Sequence, residues 1–155
     1  MSWSVGIDPG SRHTGLAAVH DDGALRAQTI HPTGDLPDRL VFLRKTVRLW
    51  LADIAEDGAW CCVVEQPGTR FGGASLLAAY GVCVESARSS LKCPVMTLPS
   101  AQWKKLALGN GAAKKSDVMA AAREFGYDGA DQDQADAIGM ARCAVILAQQ
   151  VERAA

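Results

Sequence analysis

The sequence contains no apolar run of about 18 residues, the length that a membrane-spanning helix requires. Its first residues, Met1 to Ser4, also lack the charged and apolar segments of a secretory signal. We therefore expect a soluble, cytoplasmic protein with no membrane partner.

The sequence also lacks the C-x-x-C pairs that are typical of zinc sites. Its five cysteines are an odd number and lie mostly beside apolar residues. They are Cys61, Cys62, Cys83, Cys93 and Cys143. We interpret them as small core residues in a reducing compartment rather than as catalytic or metal-binding thiols.

Net charge is low, at −1 for 155 residues, which argues against a protein that coats DNA non-specifically. The charges are nevertheless segregated along the chain. The segment from Ser86 to Ser116 carries six basic residues and no acidic one, whereas aspartate and glutamate crowd the segment from Asp117 to Asp136. A basic surface beside an acidic pocket is what a metal-dependent nuclease needs, although solvated helix faces are an alternative explanation.

Hydrophobic periodicity predicts one α/β domain that spans residues 1–155. The predicted strands are 3–8, 14–20, 24–30, 60–64 and 93–98, and the predicted helices are 40–54, 74–91, 101–108, 114–125 and 132–151. Pro32, Gly34 and Pro37 indicate a loop before the first helix. The order predicts a mixed five-stranded sheet, with three antiparallel strands and then two parallel ones, flanked by helices.

Two carboxylates end apolar strands, since Asp8 follows Ser4–Ile7 and Glu65 follows Cys61–Val64. A carboxylate at the end of a core strand is costly unless a positive group compensates it. If the first and fourth strands are parallel neighbours, both side chains lie at the edge where open α/β sheets bind ligands. There they repel each other unless a cation sits between them.

Asp133 and Asp136 are three residues apart at the predicted start of the last helix, so both project from one face near its positive end. Several carboxylates around one point suit Mg²⁺ or Mn²⁺, and two such ions about 4 Å apart promote phosphodiester hydrolysis. Each acidic residue alone also has an ordinary explanation, as a turn residue, a strand exit or a helix-start charge. Their joint order favours a metal site.

Four short motifs follow one another along nearly the whole chain. They are GIDPGSRHTG at Gly6–Gly15, VEQ at Val64–Gln66, GNGAAKK at Gly109–Lys115 and DQADA at Asp133–Ala137. Together they resemble the RuvC family of Holliday junction resolvases, which has the RNase H-like fold. The resemblance implies a structure-selective endonuclease that resolves four-way DNA junctions, and the short chain resembles a phage-type member.

The resemblance implies a role for each matching residue. The metal ligands would be Asp8, Glu65, Asp133 and Asp136. They would bind two Mg²⁺ ions per site, with Mn²⁺ as an alternative. Lys115 matches a catalytic lysine. The candidate DNA contacts are Lys104, Lys105, Lys114, Arg12 and Phe71. Both Lys104 and Lys115 lie in the basic segment that has no acidic residue, so charge and resemblance agree on them.

Two implied features have ordinary alternatives. Phe71 would be the aromatic wedge that the family carries after its Glu-Gln pair and that stacks on an unpaired base, or it covers the edge of the core. The helix at residues 74–91 matches the one through which the family forms a homodimer, or it simply packs on the sheet.

Three other functions fit parts of the pattern. The same fold hosts nucleases that act on forks, flaps or RNA-containing hybrids, and fold alone does not choose among them. An actin-like ATP-binding fold also begins with Gly-Ile-Asp-x-Gly, although it usually has two such hairpins in a longer chain. A non-catalytic junction-binding protein is the third alternative. The presence of an acidic residue at all four positions argues against it.

Overall fold

The computed structural model describes residues 2–68 and 73–154, which form one mixed sheet with helices on both faces. Its strands are β1 (Trp3–Asp8), β2 (Thr14–His20), β3 (Leu25–Ile30), β4 (Ala59–Gln66) and β5 (Val95–Pro99). Its helices are α1 (Leu36–Asp57), α2 (Ala74–Ser90), α3 (Ser100–Leu108), α4 (Lys115–Glu124) and α5 (Gln132–Ala154). Within those residues, none of the helices is long and apolar enough to cross a membrane.

The strand order is β3-β2-β1-β4-β5, with antiparallel pairing from β3 to β1 and parallel pairing from β1 to β5. This confirms the predicted α/β fold with three antiparallel and two parallel strands. The order places the first and fourth strands of the chain side by side at the centre of the sheet. Their carboxyl ends therefore meet at one edge.

The first helix begins earlier than its apolar spacing predicted. It starts at Leu36, and the carboxylate of Asp35 accepts the backbone N–H of Asp38 at 3.1 Å as an N-cap. Pro37 lies in the first turn, where its missing N–H has no helical partner to lose. Its assignment to the preceding loop was therefore wrong.

The sheet separates two apolar cores. One lies between the sheet and α1 and α2 and contains alternate residues of the central strands, such as Val5, Ile7 and Val64. The other lies under α3, α4 and α5 and contains Val63 and Trp103. Because side chains alternate across a strand, each central strand sends every second residue toward α5.

Glycines allow α5 to lie directly on the sheet. A Cβ at Gly6 of β1 would lie 2.0 Å from the carbonyl oxygen of Ala137, and a Cβ at Gly15 of β2 would lie 2.1 Å from that of Asp133. Side chains essentially never approach backbone this closely, so these positions require glycine for the observed packing. The first turns of α5 are thus held close above the ends of β1 and β2.

The five cysteines are free, and four of them are buried. Burial raises the pKa of the Cys83 thiol to about 12 and that of Cys143 to about 11. These thiols therefore stay protonated near neutral pH, which agrees with their interpretation as small apolar core residues.

Candidate active site

Asp8 and Glu65 lie next to each other at the carboxyl ends of two parallel strands. In the pairing of β1 with β4, Ile7 is opposite Val64, so the next residue of each strand is one of these carboxylates. Strand alternation turns both toward the face on which Val63 packs, which is the face that α5 covers. Both side chains are only partly exposed.

Asp133 and Asp136 reach the same edge from α5. Asp8 is paired with Gly15 across β1 and β2, and the carbonyl of Asp133 lies directly above Gly15. Asp136 is about one turn further along the helix, and its Oδ1 accepts a hydrogen bond from Nε2 of Gln132 at 3.1 Å. The structure thus brings together the four carboxylates on which the sequence analysis settled.

Asp131 holds the start of α5 in place, a role that the sequence analysis missed. Its Oδ1 accepts the backbone N–H groups of Asp133 and Gln134, at 2.9 and 3.2 Å, and its Oδ2 accepts the hydroxyl of Thr29 at 2.8 Å. The hydroxyl of Tyr127 accepts the N–H of Asp131 at 3.1 Å. The N-cap is readable from an aspartate before a helix start, but its bond to Thr29 on β3 is not.

Burial and repulsion by neighbouring carboxylates disfavour the charged forms of Asp8, Glu65 and Asp136. Burial raises the pKa of Asp8 well above its ordinary value of 3.8, and neighbouring carboxylates raise it further. Those neighbours are Glu65, Asp136 and Asp133, in decreasing order of effect. Burial likewise raises the pKa of Glu65 and of Asp136. The site therefore has an excess of negative charge that a bound cation would offset.

Lys104 is the lysine that interacts electrostatically with most of the carboxylates. Its positive charge lowers the pKa of Asp8, of Glu65 and of Asp136, against the larger effect of burial. Its Nζ lies 5.5 Å from the centroid of the Trp103 ring, and the side chain is half-buried. Lys115 is exposed at the start of α4 and lowers the pKa of Asp136 less than Lys104 does.

Three of the remaining candidate DNA contacts are exposed, and the fourth lies outside the described residues. Arg12 is exposed in the connection between β1 and β2, and Lys105 is exposed on α3. Lys114 is exposed just before α4, and its backbone N–H donates to the carboxylate of Asp117 at 2.8 Å. Phe71, the candidate wedge, lies outside the described residues.

Trp103 is a second residue that the sequence analysis did not assign to the site. Its Nε1–H donates to Oε2 of Glu65 at 2.6 Å, and its side chain is fully buried. A tryptophan next to a lysine on a short helix gives no sign of this contact in the sequence. The bond joins α3 to the end of β4.

The four carboxylates fit magnesium in their chemistry, because hard divalent cations prefer oxygen ligands and the local charge is negative. Among residues 2–68 and 73–154, no three His, Cys, Asp or Glu side chains are grouped tightly enough to hold a metal ion. Like charges oppose such grouping. A bound cation would offset this repulsion.

Comparison with known proteins identifies relatives. No protein-family model matches the chain. Over 149 residues it is 34% identical to the crossover junction endodeoxyribonuclease RuvC of Paracidovorax citrulli, with 88% of this chain and 80% of that protein covered. Over 127 residues it is 33% identical to the crossover junction endodeoxyribonuclease RuvC of Sodalis glossinidius, with 77% and 71% covered.

The fold has a counterpart among solved structures. Thermus thermophilus RuvC in complex with Holliday junction substrate superimposes with a TM-score of 0.78 at 19% identity, covering 97% of this chain and 96% of that one. This likeness confirms the predicted RNase H-like fold. Since the two relatives exceed 30% identity over most of their length, the chain belongs to the RuvC family of crossover junction endodeoxyribonucleases.

Proposed function

We propose that this chain is an endonuclease that resolves four-way DNA junctions by metal-assisted phosphodiester hydrolysis. The observation that carries the proposal is the meeting of carboxylates from β1, β4 and α5 at one edge of the sheet in a member of the RuvC family. A relative of the same fold has been solved with Holliday junction substrate. Family membership also argues against the actin-like alternative.

Asp8, Glu65, Asp133 and Asp136 would hold Mg²⁺, with two ions in the proposed site and Mn²⁺ as an alternative. When bound, divalent ions supply Lewis-acid charge that lowers the pKa of water and offsets charge on the leaving oxygen. The residues themselves present oxygen ligands at an edge from which α5 partly excludes solvent. Burial and mutual repulsion of the carboxylates favour cation binding, because a bound positive charge would offset both the cost of burying negative charge and the repulsion.

The lysines are proposed to contact phosphate and developing negative charge. Lys104 has the stronger electrostatic coupling to the carboxylates, so it fits a phosphate beside the reacting bond. Lys115 remains a candidate catalytic residue at the start of α4. Exposed Lys105, Lys114 and Arg12 fit the DNA backbone further out, where they position the duplex arms without reading sequence.

The test is a cleavage assay on a matched set of synthetic substrates in Mg²⁺. We expect the four-way junction to be cut at least about tenfold faster than forks, flaps, nicked duplex or RNA–DNA hybrid, with paired cuts across the junction. Assays with excess EDTA are the control and are expected to show no cleavage. A strong preference for hybrids or for flaps would overturn the junction proposal while leaving a nuclease.

A homodimer through α2 is the second part of the proposal. Leu77 on α2 is 53% exposed, and the neighbouring α1 exposes Val41 by 71% and Leu49 by 61%. A groove on α1 and another between α1 and α2 share Arg44, so the two grooves adjoin. Two copies related by a two-fold axis would present two active sites to one junction, which suits paired cuts.

Leu77→Lys tests the dimer. Placing a charge at the centre of an apolar interface is expected to raise the dissociation constant of the dimer about tenfold or more, measured by sedimentation velocity over a concentration series. Val151→Lys is the matched control, because Val151 is 68% exposed on α5, on the opposite face of the sheet. Equal effects of the two variants would place the interface elsewhere.

A further inference from the structure

Trp103 is the fully buried aromatic residue that touches the candidate active site. Its side chain is 0% exposed and belongs to the core under α3, α4 and α5. Its Nε1–H donates to Oε2 of Glu65 at 2.6 Å, which is short for an N–H donor. A buried indole N–H is costly without an acceptor, so this core depends on the Glu65 carboxylate.

The position of the indole is specified from α5 as well. A Cβ at Gly139 would lie 2.6 Å from Cζ3 and 3.1 Å from Cη2 of Trp103. A glycine at this place leaves room for the ring within one turn of Asp136. The helix that supplies two candidate metal ligands therefore also determines where Trp103, and through it Glu65, can lie.

The hydrogen bond engages one carboxylate oxygen of Glu65 and leaves the other for a different partner. A carboxylate on a flexible glutamate side chain samples several rotamers, and ordering it on binding a cation costs conformational entropy. A donor that already holds one oxygen removes much of that cost. Partners of this kind orient metal ligands in many proteins.

We propose that Trp103 is a positioning residue for cleavage, which holds Oε2 of Glu65 so that Oε1 is oriented for a divalent cation. This inference rests on the proposed function, because it takes Glu65 to be a metal ligand. The role differs from packing alone. A benzene ring fills much of the same space in the core but donates no hydrogen bond to Glu65.

Trp103→Phe removes the donor while keeping an aromatic ring. We expect the Kd of Mn²⁺ without DNA, measured by isothermal titration calorimetry, to rise about tenfold, and kcat to fall by a similar factor. The KM for the junction is expected to stay within about twofold, since DNA binding does not use the indole. Trp60→Phe, at a half-buried tryptophan outside the site, is the matched control and should change none of the three. Unchanged Mn²⁺ affinity in Trp103→Phe would overturn the inference.

A second measurement keeps Trp103 itself. The chain has four tryptophans, so a variant with Trp3→Phe, Trp50→Phe and Trp60→Phe emits from Trp103 alone. Because the indole N–H is bonded to Glu65, Mg²⁺ titration is expected to shift its fluorescence emission. The shift should be half-complete at the Mg²⁺ concentration that half-saturates cleavage. Emission that does not respond to Mg²⁺ contradicts the inference.

Failure of this inference is distinguishable from failure of the proposed function. If the wild-type chain cuts no four-way junction but Trp103→Phe still weakens Mn²⁺ binding, the proposed function fails and the positioning role stands. If the wild type cuts junctions in Mg²⁺ and Trp103→Phe equals it in Mn²⁺ affinity and kcat, the positioning role fails and the proposed function stands.

Discussion

Asp8→Asn is expected to slow cleavage of a four-way junction by about 10²–10³-fold or more in Mg²⁺, while junction affinity changes by only a few-fold. The amide keeps nearly the shape of the carboxylate but removes the negative charge at the centre of the cluster. Asp8 interacts electrostatically with the three other carboxylates, so loss of its charge is expected to weaken cation binding by the whole group. Single-turnover cleavage and gel-shift binding in Ca²⁺ measure the two effects separately.

Two comparisons make this result specific to the site. Glu65→Gln is expected to show the same loss of cleavage with the same retention of binding. Asp53→Asn, which changes an exposed aspartate on α1, is the matched control and should cleave at the wild-type rate. Wild-type cleavage by Asp8→Asn would exclude the proposed metal site.

Asp8→Asn is also expected to stabilise the metal-free protein by roughly 0.5–2 kcal/mol near neutral pH, as often occurs when a functional charge is removed. The pKa of Asp8 is raised in the folded state above its ordinary value of 3.8, so the folded chain binds this proton more tightly than the unfolded chain does. Stability is therefore lost as pH rises from about 4 through the raised pKa.

Thermal unfolding in EDTA measures this effect at a series of pH values. The wild type should lose stability as pH rises through that window, and Asp8→Asn should lose less of it, since Glu65 and Asp136 still contribute. Added Mg²⁺ should restore stability to the wild type far more than to the variant. Identical pH profiles for the two proteins would contradict the burial and repulsion assigned to Asp8.

Gly6→Ala is expected to lower the free energy of unfolding by about 3 kcal/mol or more, in the upper range for overpacking of a core. The added methyl group would lie 2.0 Å from the carbonyl oxygen of Ala137 and 2.4 Å from the amide nitrogen of Ala141. Both atoms belong to helix backbone, which cannot rotate away as a side chain can. Relief requires α5 to move off the sheet, which breaks contacts along its buried face.

Urea unfolding followed by circular dichroism measures the loss. Gly81→Ala is the matched control, because a Cβ at Gly81 of α2 meets nothing within 4 Å and alanine favours a helix interior by about 0.5–1 kcal/mol. The two variants thus add the same methyl group with opposite expected signs. If Gly6→Ala is as stable as the wild type, α5 does not lie on β1 as described.

The strand and helix order was predictable because it depends on local spacing. The apolar run before Glu65 predicted a strand buried on both faces, and β4 confirms it. Helix α1 was predicted with the wrong start, since Pro37 reads equally as a loop residue and as a first-turn residue, and the cap formed by Asp35 decides between them. The single-domain and cytoplasmic assignments stay predictions.

The positions of the candidate carboxylates were predictable from the sequence, but the contacts that hold them in place were not. Asp8 and Glu65 were identifiable at strand ends, because a buried carboxylate there needs an explanation. The bond from Trp103 to Glu65 joins residues 38 positions apart, and the bond from Thr29 to Asp131 joins residues 102 apart. Neither contact follows a local period, so no pattern in the sequence indicates them.

The sequence by itself determined which residue types are available for cation and phosphate chemistry, and in which order the elements carry them. Only the tertiary structure decided that β1 and β4 are neighbours, that Gly6 and Gly15 let α5 approach the sheet, and that Lys104 couples to more of the carboxylates than Lys115 does. The reason is physical. Hydrophobic period is set along the chain, whereas electrostatic coupling and steric fit depend on distances between residues far apart in sequence.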